Sequence, residues 1–253
     1  MNIISGLLKV CLLILMPLAS VAAHAETAKI AIASNFTGTS LELQSVFEGQ
    51  TEHRLLLSFG STGKLTTQIL YGAPYDAFLA ADITHPKKIV DEGLADKDKM
   101  FTYAIGELVL FNHAGTLATT QSEIISQLHA SDRIAIANPV SAPYGKAAKQ
   151  TLQSLEVWKT LGSKIVQGGN IAQTYQFVIT GNVDMGFVAK SQIIHNQSGA
   201  SWRPPNGSYT PLKQAAVLLK SNEGNKAAID FLEFLKSNVA REIIIRNGYG
   251  VEE

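Results

Sequence analysis

Four short stretches of the sequence place small polar residues between an apolar run and a helical pattern. The clearest is SFGSTGKL at residues 58–65, which follows LLL at 55–57 and leads into a helix with apolar positions at 65, 69 and 70. The first turn of such a helix has backbone N–H groups without intrahelical partners and carries the positive end of the helix dipole. This arrangement predicts a site that binds an anion without a cationic side chain.

The same arrangement recurs along the chain and gives a defined set of candidate ligands. The residues at the tips of the four turns are Ser34, Asn35, Ser61, Thr62, Tyr144 and Ile171. For a single turn, the commoner use of Ser61 or Thr62 would be to cap its own helix. Four such turns in one chain favour a shared anion site instead.

The chemistry of these residues indicates which anion they suit. A fully ionised tetrahedral oxyanion offers only hydrogen-bond acceptors, so its best site consists of hydroxyls, amide N–H groups and converging helix N-termini. A carboxylate would favour a protonated anion such as hydrogen phosphate, but no Asp or Glu stands at the tip of any of the four turns. The residues therefore favour molybdate, tungstate or sulfate, whose oxygens they would contact without any side chain ligating the metal directly.

Other kinds of chemistry find little support in the sequence. The six histidines include no i, i+4 pair typical of a helical metal site. Residues 60–64 lack the spacing of a phosphate-binding P-loop, and FGSTG at 59–63 is one residue short of the Gly-x-Ser-x-Gly turn of serine hydrolases. We expect no enzymatic activity and no cofactor. An exported hydrolase that uses Ser61 is the alternative from another functional class.

The composition and the N-terminus indicate where the protein acts. Lys and Arg number 21, as do Asp and Glu, so the formal net charge is zero and nothing argues for a nucleic-acid partner. The apolar stretch 10–19 and the small residues of AHA at 23–25 predict a secretory signal peptide over 1–25, cleaved after Ala25. The single cysteine, Cys11, lies inside it. We expect an exported monomer without disulfides or cysteine-bound metal.

The elements around these turns predict an α/β fold with two lobes. Three successive βα units predict a parallel sheet with right-handed crossovers. The long strand pattern 101–111 crosses to a second lobe, which holds the other two turns, and a strand at 212–219 returns to the first. We predict lobe 1 over 26–108 and 212–253, lobe 2 over 109–211, and parallel-rich mixed sheets joined by two hinge strands. The ligand would lie in the cleft at the carboxyl ends of the strands.

Several short motifs, spread over nearly all of the mature chain, are shared with a known protein family. They are ASNFTGT at 33–39, FGSTG at 59–63, GAPYDAF at 72–78, AD at 81–82, FTYAIG at 101–106, NP at 138–139 with APYG at 142–145, and GFVA at 186–189. At these residues the chain resembles the periplasmic molybdate-binding proteins of ABC uptake systems. These are two-lobed type II periplasmic solute-binding proteins.

This resemblance implies a role for each turn. In the family, hydroxyls and main-chain amides from both lobes hold the oxyanion. Carried over, this places Ser34 and Asn35 on the first turn, Thr62 or its neighbour Ser61 on the second, Tyr144 on the third and the Ile171 amide on the fourth. One branch of the family has a tyrosine where this chain has Ala189, whereas Tyr144 matches the tyrosine of the other branch.

The resemblance also implies the ligand and the partners. It implies a periplasmic protein that captures molybdate or tungstate and delivers it to the permease subunits of an ABC importer in the inner membrane. A receptor of the same fold for sulfate, phosphate or another small anion is the alternative.

Overall fold

The computed structural model describes residues 25–196, 198–220 and 223–252. The predicted signal peptide, apart from Ala25, lies outside these residues, so its cleavage remains a prediction. Within the described ranges, no helix combines the length and the apolar character needed to cross a membrane.

The strands of the described chain form two separate sheets of five. In chain order they are β1 (Thr27–Ala33), β2 (Arg54–Gly60), β3 (Ala77–Leu79), β4 (Phe101–Gly106), β5 (Leu108–Asn112), β6 (Ile134–Ala137), β7 (Ile165–Gly168), β8 (Met185–Ala189), β9 (Ala200–Trp202) and β10 (Leu212–Leu218). The first sheet has the order β2-β1-β3-β10-β4, and the second has the order β7-β6-β8-β5-β9. In each, three parallel strands are joined to the last strand by an antiparallel one. The predicted α/β fold with mixed sheets is confirmed.

Helices follow most of the strands and pack against the sheets. In chain order they are α1 (Thr37–Gln50), α2 (Thr62–Leu70), α3 (Thr84–Asp91), α4 (Gln121–Ala130), α5 (Pro143–Ser154), α6 (Ile171–Ile179), α7 (Lys190–Ile193), α8 (Lys226–Phe234) and α9 (Asn238–Arg246). A short 3₁₀ turn, Ser34–Phe36, joins β1 to α1.

Each sheet is built around its own apolar core. In the first, Ile30 and Ile32 of β1 are fully buried, and the rings of Phe47 in α1 and Phe231 in α8 meet edge to face at 5.4 Å between centroids. In the second, all residues of β6 are buried, including Ile136. A strand that is covered on both faces needs a continuous apolar run rather than an alternating one, which is the pattern of residues 30–33 of β1 and of all of β6.

The register of the parallel strands places the four turns in space. β1 pairs with β2 so that Ala33 lies opposite Gly60, and β6 pairs with β7 so that Ala137 lies opposite Gly168. The turns after β1 and β2 therefore lie side by side at the carboxyl end of the first sheet. The turns after β6 and β7 occupy the corresponding position on the second sheet.

Two segments connect the sheets. β4 and β5 form an almost continuous strand interrupted only by Glu107, and residues 203–211 lead from β9 back to β10. The Glu107 carboxylate accepts from Lys190 Nζ at 3.2 Å and pairs with Arg203 Nε at 2.9 Å. Since Glu107 belongs to one connection and Arg203 to the other, this ion pair ties the two connections together.

Two details add to the sequence prediction. Leu108, assigned above to lobe 1, begins β5 and pairs with Ala189 in the second sheet, so we propose that lobe 2 starts at Leu108. The other lobe boundaries stay a proposal. The strand β9 was not predicted, because it has only three residues and depends on pairing with β5, where Trp202 lies opposite Leu110.

Candidate oxyanion-binding site

A small cavity lies between the carboxyl ends of the two sheets. Its lining residues are Ala33, Ser34, Asn35, Gly60, Ser61, Thr62, Ala81, Ala142, Pro143, Tyr144 and Ile171. All six candidates from the sequence are among them, and none of these lining residues is charged. The cavity is narrow, with room for one small guest but not for an organic substrate.

The polar residues that line the cavity are almost inaccessible to solvent. The exposed fraction is 5% for Ser34, 3% for Ser61 and 1% for both Thr62 and Tyr144. In such an enclosure a hydrogen bond to a charged group is stronger than in water, and a polar group without a partner is costly. The hydrogen-bond partners of each polar side chain therefore indicate what the cavity is built to hold.

Ser61 stands immediately before α2, at the position whose side chain normally caps a helix. Its hydroxyl makes no capping hydrogen bond, and its buried Oγ has no partner among the described residues. Leaving a buried hydroxyl unpaired costs about 1–3 kcal/mol. Ser61 therefore does not cap α2, and its O–H is free to donate to a guest.

Thr62, the first residue of α2, is oriented by the neighbouring strand. The main-chain N–H of Ala81 donates to Thr62 Oγ1 at 3.1 Å. A hydroxyl that accepts in this way keeps its own proton for another partner. Ser61 and Thr62 thus both present an O–H group, and the structure allows either of them as the direct ligand.

Tyr144 reaches the cavity because α5 begins directly against β6. Pro143 occupies the first position of the helix, where its missing N–H removes no hydrogen bond. Gly145 lies so close to the preceding strand that an added Cβ would come within 2.6 Å of the carbonyl carbon of Ala137. Only glycine permits this approach, and it fixes the position of the adjacent phenol.

The phenol of Tyr144 is held as a hydrogen-bond donor. Gln214 Nε2 donates to its oxygen at 3.2 Å, and since an amide nitrogen cannot accept, the phenolic proton stays available. Burial, together with the nearby phenols of Tyr249 and Tyr103, raises the pKa of Tyr144 well above its ordinary value. The group therefore stays protonated and neutral at neutral pH.

Asn35 lines the cavity, but its side-chain nitrogen is used within the protein. Asn35 Nδ2 donates to Gln214 Oε1 at 2.9 Å and to the Tyr249 hydroxyl at 3.0 Å, which occupies both hydrogens. The Tyr249 hydroxyl in turn donates to the main-chain carbonyl of Asn35 at 2.7 Å. If Asn35 donates to a ligand, as predicted, it does so through its main-chain N–H.

Ile171 is the first residue of α6 and faces the cavity from the second sheet. Asn170 caps this helix by accepting from the N–H of Gln173 at 2.9 Å, and the Ile171 carbonyl accepts from Gln192 Nε2 at 3.1 Å. The N–H of Ile171 has no acceptor within the helix because it belongs to the first turn. A main-chain contact is thus the one polar contact that this residue can offer.

Four polar residues behind the cavity were not predicted from the sequence. They are Tyr103, Ser191, Gln214 and Tyr249, and they connect Asn35 and Tyr144 into one hydrogen-bonded network. Gln214 left a signal in the sequence, since it is the one amide in β10 and directly precedes the apolar run AAVL at 215–218. The others reach the network from distant parts of the chain, and no local pattern marks them.

Two further hydrogen bonds join the two sides of the cleft. The Ser191 hydroxyl of α7 donates to the Tyr249 hydroxyl at 2.9 Å, and the N–H of Gly63 donates to the carbonyl of Ser141 at 2.8 Å. Each bond joins a residue on the side of the first sheet to one on the side of the second. The two sides of the cleft are therefore in direct contact beside the cavity.

A metal ion held directly by side chains has no site in the part of the chain that the structure describes. No group of three or more His, Cys, Asp or Glu side chains there is suited to hold one. Within this part of the chain, the site consists of uncharged hydrogen-bond donors that converge from both sheets.

The family of the chain is shown by comparison with known proteins. The family model of bacterial extracellular solute-binding proteins matches residues 28–250. The molybdate-binding protein ModA of Rhodobacter capsulatus is 43% identical over 222 residues, covering 88% of this chain and 87% of the relative. ModA of Azotobacter vinelandii is 41% identical over 234 residues, covering 91% and 92%. Both are solute-binding proteins and not enzymes, which argues against the hydrolase alternative.

Solved structures show the same relationship. The periplasmic molybdate-binding protein of Azotobacter vinelandii superposes with a TM-score of 0.85 at 36% identity, covering 89% of this chain and all of that one. The sulfate-binding protein SubI of Mycobacterium tuberculosis reaches a TM-score of 0.72 at 15% identity, covering 89% and 86%, and shares the fold alone. With its two mixed sheets, its enclosed cavity and a family match over residues 28–250, the chain belongs to the bacterial extracellular solute-binding proteins.

Proposed function

We propose that the protein captures molybdate, and also tungstate, in the cleft between its lobes and delivers it to the permease subunits of an ABC importer. The names of the relatives from Rhodobacter capsulatus and Azotobacter vinelandii support molybdate as the ligand. Export to the periplasm, cleavage after Ala25 and a monomeric state belong to the same proposal.

The observation that carries this proposal is the unpaired hydroxyl of Ser61. It is 3% exposed, lines the cavity and has no hydrogen-bond partner among the described residues. A guest that accepts its proton would remove a cost of about 1–3 kcal/mol. An oxyanion oxygen is such an acceptor, and Thr62 and Tyr144 present protons of the same kind beside it.

The absence of a carboxylate among the lining residues favours a fully ionised anion. Hydrogen phosphate carries a proton of its own and needs an acceptor, which a carboxylate would supply. None of the residues that line the cavity has a carboxylate. We therefore expect the site to prefer molybdate and tungstate, to bind sulfate next, and to reject phosphate.

Binding and recognition by the permease follow from the two-sided geometry. Ser34, Ser61 and Thr62 belong to one side of the cavity, and Tyr144 and Ile171 belong to the other. An anion that contacts both sides at once stabilises the closed form over the open one. Loaded and empty protein would then differ in shape, which is how the permease would distinguish them.

A thermal-shift series tests the proposal. The mature chain is melted alone and with molybdate, tungstate, sulfate or phosphate at equal concentrations. A ligand that binds only the folded state raises the melting temperature by mass action. We expect molybdate and tungstate to give the largest increase and phosphate to give none. An increase with phosphate alone, or with none of the four anions, would contradict the proposal.

A further inference from the structure

We propose that Gln214 is a positioning residue that holds the oxygen of Tyr144 as a hydrogen-bond acceptor, so that the phenolic proton is left for the bound oxyanion. This inference rests on the proposed function and deepens it. Gln214 does not line the cavity, and it acts on the guest only through Tyr144.

Gln214 is a fully buried amide whose two polar atoms both have partners. It lies in β10 with an exposed fraction of 0%. Its Oε1 accepts from Asn35 Nδ2 at 2.9 Å and from the Tyr103 hydroxyl at 3.1 Å. Its Nε2 donates to the Tyr144 hydroxyl at 3.2 Å. A buried amide in a strand core is costly unless it is paired in this way.

The partners of Oε1 fix the orientation of the Gln214 amide. The Tyr249 hydroxyl donates its proton to the main-chain carbonyl of Asn35, so the side-chain atom of Asn35 that faces this hydroxyl must be the donor Nδ2. Because the same Nδ2 also faces Gln214, it must be the oxygen of Gln214 that accepts from it. The NH₂ group of Gln214 therefore faces Tyr144. The phenol oxygen accepts this hydrogen bond, and its own proton has to point elsewhere, towards the cavity that Tyr144 lines.

Gly106 packs against the hydrogen bond between Gln214 and Tyr144. A Cβ added at Gly106, the last residue of β4, would lie 2.6 Å from Gln214 Nε2 and closer still to the Tyr144 oxygen. Any side chain there would force the two groups apart. The missing side chain at this position thus makes room for the contact between Gln214 and Tyr144.

The contact also joins the two sides of the cleft. Gln214 belongs to the first sheet, whereas Tyr144 belongs to α5, which follows β6 of the second. The phenol is therefore oriented only when the two sides meet. We therefore infer that closing the cleft also orients the Tyr144 phenol as a donor.

The phenols around Gln214 are uncharged at neutral pH. Tyr103 and Tyr144 face it directly, and Tyr249 lies behind Asn35. Burial raises the pKa of all three phenols. Asp82 acts on Tyr103 electrostatically and is paired with His85 at 2.8 Å. A carboxylate in place of the Gln214 amide would thus be a new acceptor and a new charge among neutral phenols.

Two sets of variants test the role of Gln214 by calorimetric titration of the mature chain with molybdate. Gln214→Met and Tyr144→Phe should each weaken binding about 10-fold. Their combination should also lose about 10-fold rather than about 100-fold, because residues that act through one contact are not additive. Gly106→Ala should behave like Gln214→Met, which keeps the test valid if the Gln214 variants fold poorly.

Gln214→Glu adds a pH readout that a purely structural role would not give. At pH about 8 the carboxylate would accept a hydrogen bond from the Tyr144 phenol, so that this donor is no longer available to the anion, and would also repel the anion. The affinity should fall at least about 100-fold. A buried carboxyl has a raised pKa, so affinity should recover relative to the unsubstituted protein as the pH falls towards about 5.5. The matched control is Gln150→Glu, a half-buried glutamine bonded to Thr210 outside the cavity, which should change neither affinity nor its pH dependence.

The outcomes separate this inference from the proposed function. If the unsubstituted protein binds molybdate but the losses of Gln214→Met and Tyr144→Phe multiply, or Gln214→Glu follows the unsubstituted protein at every pH, the positioning role is wrong and the proposed function stands. If the unsubstituted protein binds none of molybdate, tungstate and sulfate, both are wrong.

Discussion

Ser61 and Ser237 both occupy the residue before an α-helix, and their hydroxyls are used differently. Ser237 Oγ accepts from the N–H of Ala240 at 3.2 Å and caps α9. Ser61 makes no such bond to α2, although its backbone is extended in the same way. A serine at this position stabilises a helix when it caps. At α2 that stabilisation is absent, and a buried donor is left facing the cavity.

The same contrast extends to other helices. The helices α4, α8 and α9, whose first residues are not among those lining the cavity, are capped by Thr120, Asn225 and Ser237. The helices α2 and α5 start at the cavity and have no side-chain cap. Only α6 combines a position at the cavity with a cap of its own. The helices α1, α3 and α7 also lack a side-chain cap, although their first residues do not line the cavity. What distinguishes the start of α2 is therefore the buried, unpaired hydroxyl of Ser61 at the cavity.

The largest expected effect comes from placing a charge at Ser61, the serine of the pair that lines the cavity. Aspartate caps helices as well as serine does, so Ser61→Asp should leave α2 intact. Its carboxylate would repel a dianion, and we expect the affinity for molybdate to fall at least about 100-fold in calorimetric titration. Ser237→Asp, the matched control, should bind as the unsubstituted protein does. A Ser61→Asp protein with nearly unchanged affinity would remove Ser61 from the site.

Removing single donors should have an intermediate effect. Thr62→Ala and Tyr144→Phe each delete one hydrogen bond to a charged guest, so each should weaken binding by about 1–3 kcal/mol without unfolding the protein. Calorimetric titration measures the loss, and circular dichroism of the ligand-free protein checks the fold. If neither variant changes the affinity, the assignment of the site is wrong.

A smaller effect should appear in the stability of the ligand-free protein. Ser237→Ala removes a cap and should lower the free energy of unfolding by about 1 kcal/mol, with unchanged affinity. Ser61→Ala should weaken the binding of molybdate but leave the free energy of unfolding unchanged, since the Ser61 hydroxyl stabilises nothing in the ligand-free chain. Urea denaturation and titration of both variants give the four values. Equal losses of stability in the two variants would contradict the claim that Ser237 caps its helix and Ser61 does not.

The smallest expected effect is that of pH on the unsubstituted protein. The donors that line the cavity are hydroxyls, main-chain amides and one phenol whose pKa is raised by burial. The phenol would lose its proton only above its ordinary pKa of about 10. The affinity for molybdate should therefore be constant between about pH 6 and about pH 9. A decline within this range would mean that an ionised group contacts the anion.

Local chemistry made the βα turns predictable from the sequence. Apolar runs such as that of β1 mark strands covered on both faces, and small polar residues after them mark helix starts. Parallel pairing then brings Ser34 next to Ser61 at the end of the first sheet, through the register of Ala33 with Gly60. The structure brings all six candidates into one cavity, while their contact with an anion stays a prediction.

The second layer of the site was not predictable, because it depends on contacts between distant residues. Asn35 is 179 residues from Gln214 and 214 residues from Tyr249, yet its side-chain nitrogen is bonded to both. The sequence shows that Asn35 carries two amide hydrogens, but only the fold shows where they go. For the same reason the unpaired state of Ser61 could not be inferred from its position before a helix.

The narrowness of the cavity determines what an anion must leave behind on entry. In so narrow a cavity, a guest cannot bring its hydration shell. The free energy needed to strip water from an ion of fixed charge rises as its radius falls. Molybdate and tungstate are larger than sulfate and hold their water less tightly. Dehydration alone should therefore favour them, even if every hydrogen bond to the protein were equal.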